Sequence, residues 1–426
     1  MRRLAPLLAV LAVTLALPHT ALAGEQTLTF ESAPVTIKGY GVVRDVMRAD
    51  SPAVDGYVTG MSAELVDESD NVVPSMDVML HHVVFLKLFA QEATCTTFTD
   101  YDGNQQPALA QRFYGEGEEH DTLNLPPGYG YPNRGTDIWG LVYMLMNHHA
   151  TTSTVRVRYH VRYVTGETLT PVTPLWLDVR NCLADPIFNV PGTGGPKSEY
   201  SQSTSWTVPQ TGRLVAGGGH LHGGGLRLEL SDSRCGTVFV SRPTWGAMEP
   251  MPPMHEPGPK RMTAFSDPRG IPVQAGDTLR LKAVYDDSVP HVRVMGIVVM
   301  FLAPDPSVTG CAKFDPTPAE PSGRSPRIAL PLLKRPAGPL YRNIRSTWVS
   351  DYRFGAQRVV IRRGTTFTWR FIGQVAHDVT LASGPVGFAS QSRTRGVFRF
   401  RFTRPGTYRL FCSLHPTLMT QIIVVR

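Results

Sequence analysis

The chain has 426 residues, 42% apolar and 18% charged, with 39 Gly, 36 Pro and a formal charge of +7. That length and apolar content exclude a disordered polymer and leave room for two to four domains, each with its own core. No stretch approaches about 18 uninterrupted apolar residues, which excludes a helical membrane span.

Arg2 and Arg3 precede an apolar run from Leu4 to Leu17, and Ala21-Leu22-Ala23 fits the small-residue rule for cleavage. Residues 1–23 therefore read as a secretory signal, with the mature chain starting at about Gly24. No cysteine lies near that point, so no lipid anchor is expected there. The expected location is secreted or on the cell-envelope exterior, periplasmic or extracellular. Export also removes nucleic acid from the expected partners.

Without Arg2 and Arg3 the charge is +5. The segment 322–426 holds 18 Lys and Arg against only Asp351 and Asp378, a balance of +16, so residues 24–321 carry −11. Opposite fields of that size favour docking of an acidic body on a basic tail, most strongly at low salt. An anionic envelope polymer is the other partner such a tail suits.

Apolar residues fall mostly in short alternating runs. Val155-Arg156-Val157-Arg158-Tyr159-His160-Val161-Arg162-Tyr163, Leu226-Arg227-Leu228-Glu229-Leu230 and Thr278-Leu279-Arg280-Leu281-Lys282 have period two, the mark of strands with one wet face. No long helical period appears. The fold class is all-β, built from sandwiches. A Pro/Gly segment near Val190-Pro191-Gly192 separates two strand-rich blocks, 24–189 and 190–312. A proline-rich spacer covers 313–340, and a third block covers 341–426, with strands at Arg358-Val359-Val360-Ile361 and Thr366-Phe367-Thr368-Trp369-Arg370-Phe371.

Metal-type donors recur along the chain. His81 and His82 are adjacent in an apolar strand; neighbours on a regular strand face opposite ways, so joint ligation needs a strand end or a local twist. Met146-Asn147-His148-His149 follows. In Gly217-Gly218-Gly219-His220-Leu221-His222, the His-x-His spacing puts both imidazoles on one face, as a chelating pair requires. Val292 to Met300 reads as one strand carrying Met295. Met248-Glu249-Pro250-Met251-Pro252-Pro253-Met254-His255 offers soft thioethers suited to Cu(I), or a loop covering a core edge. His120 and His291 read as surface or supporting residues.

The tail brings together His377 and the run Cys412-Ser413-Leu414-His415-Pro416-Thr417-Leu418-Met419. A thiolate, two imidazoles and a thioether form the donor set of a mononuclear blue-copper site. Five cysteines in an oxidising compartment then leave four to pair. Three connectivities are possible, and locality favours Cys95–Cys182 with Cys235–Cys311.

Two resemblances follow from these motifs. The strand–Cys–loop–His–Met order, after the Pro405-Gly406-Thr407-Tyr408 turn, resembles the cupredoxins (plastocyanin, amicyanin, pseudoazurin) over 341–426, implying a Greek-key sandwich with one type I copper at His377, Cys412, His415 and Met419. The order His81-His82, Met146 to His149, His220-x-His222, Met295, with the landmark Leu125-Pro126-Pro127-Gly128-Tyr129-Gly130-Tyr131, resembles the copper type II, ascorbate-dependent monooxygenases over about 30–310. These are the peptidylglycine α-hydroxylating and dopamine β-monooxygenases. That resemblance implies two tandem jelly-roll-like sandwiches and two type II-like coppers. One is held by His81, His82 and His148, with Met146 or His149 as alternatives to His148. The other, the catalytic one, is held by His220, His222 and Met295.

The implied activity is hydroxylation of a C–H bond with O₂ and an external reductant, ascorbate-like or a redox protein, through electrons relayed by the tail. The chain departs from the peptide-amidating pattern at Gly218, where that pattern has Arg, and at Ile297 and Val299, where it has Asn and Tyr. Apolar groups there cannot hold a carboxylate, so a small neutral or apolar substrate is expected. The competing expectation is a non-catalytic copper-binding, electron-transfer protein on the same scaffold.

Overall fold

Alternation of apolar and polar side chains produces the strands. In Ser153–Thr165 the side chains of Val155, Val157, Tyr159, Val161 and Tyr163 are buried while those between them reach the surface. The computed structural model describes residues 24–100, 103–245, 256–318 and 333–426. The expected signal, the 248–255 run and most of the proline-rich spacer lie outside the described residues. Among the described residues every regular element is a strand, so the all-β expectation holds.

Three sandwiches follow one another. In the first, a sheet containing Gly24–Glu31, Ser153–Thr165, Gly56–Val66 and Tyr129–Asn133 packs on Val42–Ala49, Trp139–Asn147, Val78–Leu88 and Ala110–Gly117. Phe85, Phe113, Trp139 and Tyr159 fill the space between. The second stacks Thr173–Asp178, Gly296–Pro304, Gly212–Leu221 and Phe265–Val273 against Glu199–Thr207, Thr278–Asp286, Gly225–Asp232 and Gly236–Ser241. The strand Thr173–Asp178, placed in the first block by a boundary at 189, pairs with Gly296–Pro304 in this second sheet.

The third sandwich is C-terminal. It sets Leu340–Arg342, Arg358–Ile361, Thr420–Val425, Gly406–Phe411 and Thr380–Ser383 against Arg353–Phe354, Ser346–Ser350, Thr366–His377 and Arg393–Arg401. Its parallel pairs, Leu340–Arg342 with Arg358–Ile361, Arg358–Ile361 with Thr420–Val425 and Ser346–Ser350 with Thr366–His377, require crossovers between the two sheets. Trp369 is fully buried among Phe367, Phe398 and Phe402, and its indole N–H donates to Gln421 Oε1 at 2.8 Å. Removing a core aromatic of this size costs about 3–5 kcal/mol.

Disulfides join Cys95 to Cys182 and Cys235 to Cys311, leaving Cys412 free and buried, which is the pairing favoured above. Because Cys182 follows the first strand of the second sandwich, the Cys95–Cys182 bond ties the two body sandwiches together. Two such bonds indicate folding in an oxidising, extracytoplasmic compartment. Among the described residues no helix is long and apolar enough to cross a membrane.

The tail packs on the body rather than standing clear of it. The Gly387 N–H donates to the Pro191 carbonyl at 2.8 Å, and the Asn189 amide donates to the Ala389 carbonyl at 3.0 Å. A Cβ on Gly387 would lie 2.4 Å from the Val190 oxygen, so this close backbone approach needs glycine.

Candidate metal centres

The tail centre is built by one short loop and one strand end. Cys412 leaves the strand Gly406–Phe411; the His415 N–H then donates to the Cys412 carbonyl and the Cys412 N–H to the Met419 carbonyl, both at 3.1 Å. These bonds hold Cys412, His415 and Met419 on one tight turn. His377 ends the strand Thr366–His377, where the pairing with Arg393–Arg401 slips. The Cys412 Sγ lies 3.9 Å from His377 Nδ1 and 3.6 Å from His415 Nδ1, and all three donor atoms fall within 4.8 Å of one another.

His377, Cys412 and Met419 are fully buried, so His415 alone among the four reaches the surface, with Tyr352 edge-on to its ring at 4.9 Å. Asp351 Oδ1 sits 3.3 Å from His377 Nε2, which turns Nδ1 toward the sulfur. Burial, then the Asp378 carboxylate, pushes the Cys412 thiol far above its ordinary range, so a metal entering here displaces a proton. Burial, then the charge of His377, lowers His415 to about 4, leaving its imidazole neutral and free to ligate at neutral pH. A soft thiolate with two imidazoles in a dry pocket suits copper in both oxidation states.

In the body, the strand geometry resolves the problem of adjacent histidines. Opposite Val78–Leu88, Met144 pairs with His82 but Leu145 pairs with Leu80, so His81 is an extra residue in a β-bulge. Leu80 and Val83 stay in the core while both imidazoles leave on the other side, their Nδ1 atoms 2.9 Å apart. His148 is buried and His149 half exposed on Asp77. Burial outweighs the nearby Met76 and Ser75 carbonyls and lowers the His148 pKa, and neither ring nitrogen makes a well-formed hydrogen bond. Met146 shares a buried methionine cluster with Met79 and Met144.

His220 is the last residue but one of the strand Gly212–Leu221, and His222 follows that strand. Their rings are 4.9 Å apart, and the His222 ring is 5.1 Å from that of His81. The expected single strand around Met295 is two: His291–Val294 pairs with Phe188–Val190, and Gly296–Pro304 joins the main sheet. Met295 sits at the break. A Cβ on Gly296 would meet the Ala283 Cβ at 2.4 Å, so the chain turns there only with glycine. The buried Tyr285 hydroxyl accepts from the His222 N–H at 2.9 Å and donates to the Met295 carbonyl, clamping the two donor-bearing segments together. Glu119 Oε1 lies 2.7 Å from His220 Nδ1; burial opposes protonation of His220, but the Glu119 charge and hydrogen bond outweigh it and raise the pKa.

Two cavities adjoin these donors. One, of about 740 Å³, is largely apolar, reaches His82, His220 and Met295, and is lined by all three departure positions, Gly218, Ile297 and Val299. The other, of about 340 Å³, lies between body and tail and is bordered by His81, His222 and Met295 on one side and Phe411 and Ser413 on the other. Sequence reasoning passed over Glu119, Tyr285, Asp351 and Asp378. The last two carried a signal, as the only acids in a tail of charge +16.

No protein-family model matches the chain, and no curated protein does. Solved structures match the tail region. They include a purple cupredoxin from Nitrosopumilus maritimus, 24% identical, with all of that chain covering 20% of this one at a TM-score of 0.18. The Cu(I) form of an amicyanin mutant is 22% identical, 80% of it covering 19% of this chain at 0.18. The oxidized state of a second amicyanin mutant is 21% identical with the same coverage and score. At such scores the likeness carries no argument, and the tail centre rests on its own geometry.

Proposed function

We propose that this is an exported copper-binding, electron-transfer protein whose working centre is His377, Cys412 and His415, with Met419 beside them. The convergence of one buried free thiol and two imidazole Nδ1 atoms carries this reading. Copper bound there supplies a one-electron couple tuned by a weak thioether. The residues supply the rest. Asp351 orients His377, and the Asp378 N–H donates to the Cys412 sulfur at 3.4 Å. The surrounding core excludes water, and His415 presents an edge to an outside electron donor. In copper-loaded protein, intense visible thiolate-to-copper absorption is expected, and Cys412→Ser should abolish it because a hydroxyl is no soft ligand. Visible colour surviving in that variant would overturn the reading.

A second reading, copper-dependent hydroxylation of a small neutral or apolar substrate in the body, is favoured by the apolar cavity beside His82, His220 and Met295. In it His81, His82 and His148 hold one type II-like copper, and His220, His222 and Met295 the other. Metal analysis should then give three coppers, and reductant-dependent O₂ uptake should vanish in Met295→Ile while the visible band stays. A single copper per chain with no O₂ uptake in wild type would leave the tail alone as the functional part.

A further inference from the structure

Arg293 stands where body and tail meet. It lies in the strand His291–Val294, two residues before Met295, with a left-handed backbone of φ 57°. Its Nη1 is 3.6 Å from Asp378 Oδ2 and donates to the Ser390 carbonyl at 3.0 Å, while Nη2 is 3.3 Å from Asp185 Oδ2. Its own N–H donates to Asn189 Oδ1, whose amide nitrogen donates to the tail's Ala389 carbonyl. Asp378 is fully buried, accepts from the Ser413 N–H at 2.9 Å and the Ser413 hydroxyl at 2.5 Å, and its own N–H reaches the Cys412 sulfur. The sign of this contact is the reverse of the long-range fields: a cation of the acidic body meets a carboxylate of the basic tail. Bulk charge does not account for it.

We propose that Arg293 couples the tail centre to the body, setting the potential of the former and forming the crossing point for electrons between them. Tunnelling favours bonded and hydrogen-bonded routes over gaps. Cys412–Ser413, the Asp378 carboxylate, the Arg293 guanidinium and the backbone Arg293-Val294-Met295 form one route to the thioether beside His222, bonded or hydrogen-bonded except for the 3.6 Å ion-pair step between Asp378 Oδ2 and Arg293 Nη1. With copper in both places one electron would cross: the tail copper would go from Cu(I) to Cu(II), a copper held by the body from Cu(II) to Cu(I), and no atom or proton would move. An external one-electron reductant re-reduces the tail through the exposed edge of His415, on a ligand that does not face Arg293. The guanidinium also compensates the buried Asp378 charge. Without it the uncompensated carboxylate favours the more positive, oxidised copper and lowers the potential.

The inference rests on the tail being a copper electron-transfer centre and on the second reading, in which the body also holds copper, and one set of measurements on the full-length, copper-loaded protein separates these from the role of Arg293. The variants are Arg293→Met, the charge-keeping Arg293→Lys, and Arg404→Ala, which removes only an exposed tail contact to Thr193. Arg293→Met should keep the visible band but show a lower potential. After a one-electron pulse bleaches the band, its recovery should be severalfold slower than in wild type. Arg293→Lys should lie between the two, and Arg404→Ala should match wild type. Unchanged potential and recovery in Arg293→Met would overturn the proposal. Wild type that stays bleached would overturn the crossing while leaving the tail centre standing. A wild-type protein with no visible band would instead sink the functional reading.

Discussion

At the scale of single residues, burial decides which groups hold protons. Glu118 is partly buried, accepts from the Gly258 N–H at 2.6 Å, and is pushed by desolvation from 4.5 up to about 8. Between those values the folded chain keeps a proton that the unfolded chain has lost. Stability from this group is therefore full in acid and is lost as pH rises from about 4.5 to about 8. Glu118→Gln should flatten that part of a pH series of denaturant midpoints, and an unchanged slope would show the carboxyl to be ionised in the fold. The same scale explains what was readable in advance. Cys412, His415 and Met419 share one turn, and His220 and His222 lie two residues apart at a strand end, so spacing alone reveals them. Glu119, Tyr285 and Arg293 reach their partners across 101, 63 and 85 residues of chain, and no local pattern marks such a meeting.

At the scale of elements, two irregularities do most to place the donors. The bulge at His81 turns adjacent imidazoles the same way, and the break at Met295 turns one expected strand into two. Periodicity found the strands around both but assumes regular pairing, so it could not find either interruption. Local spacing does not mark the partner of strand Thr173–Asp178 for a related reason: that partner, Gly296–Pro304, lies more than a hundred residues on. The Cys95–Cys182 bond, spanning 87 residues, secures this arrangement. Replacing both cysteines by alanine should cost about 2–5 kcal/mol in calorimetry or denaturant unfolding. A loss below that range would mean that the facing sheets hold the two sandwiches together unaided.

At the scale of the whole molecule, the strong charge asymmetry predicts attraction but not how the tail sits. Hydrogen bonds to the Pro191 and Ala389 carbonyls, with the enclosed Arg293–Asp378 pair, fix that. In roughly 1 M salt the screening length is only about 3 Å, so long-range attraction is gone while enclosed contacts persist. X-ray scattering should show the same radius of gyration at low and high salt; expansion at high salt would mean that bulk charge alone holds the tail. The order of the cysteines has a consequence for how the protein is made. Each disulfide joins a cysteine to the next one to emerge during export, 95 with 182 and then 235 with 311. An oxidase acting on thiols as they cross the membrane reaches the native pairing in order, with no isomerase required to undo mistakes. Cys412 emerges after both pairs, whose thiols are then already joined, and stands free and buried in its pocket.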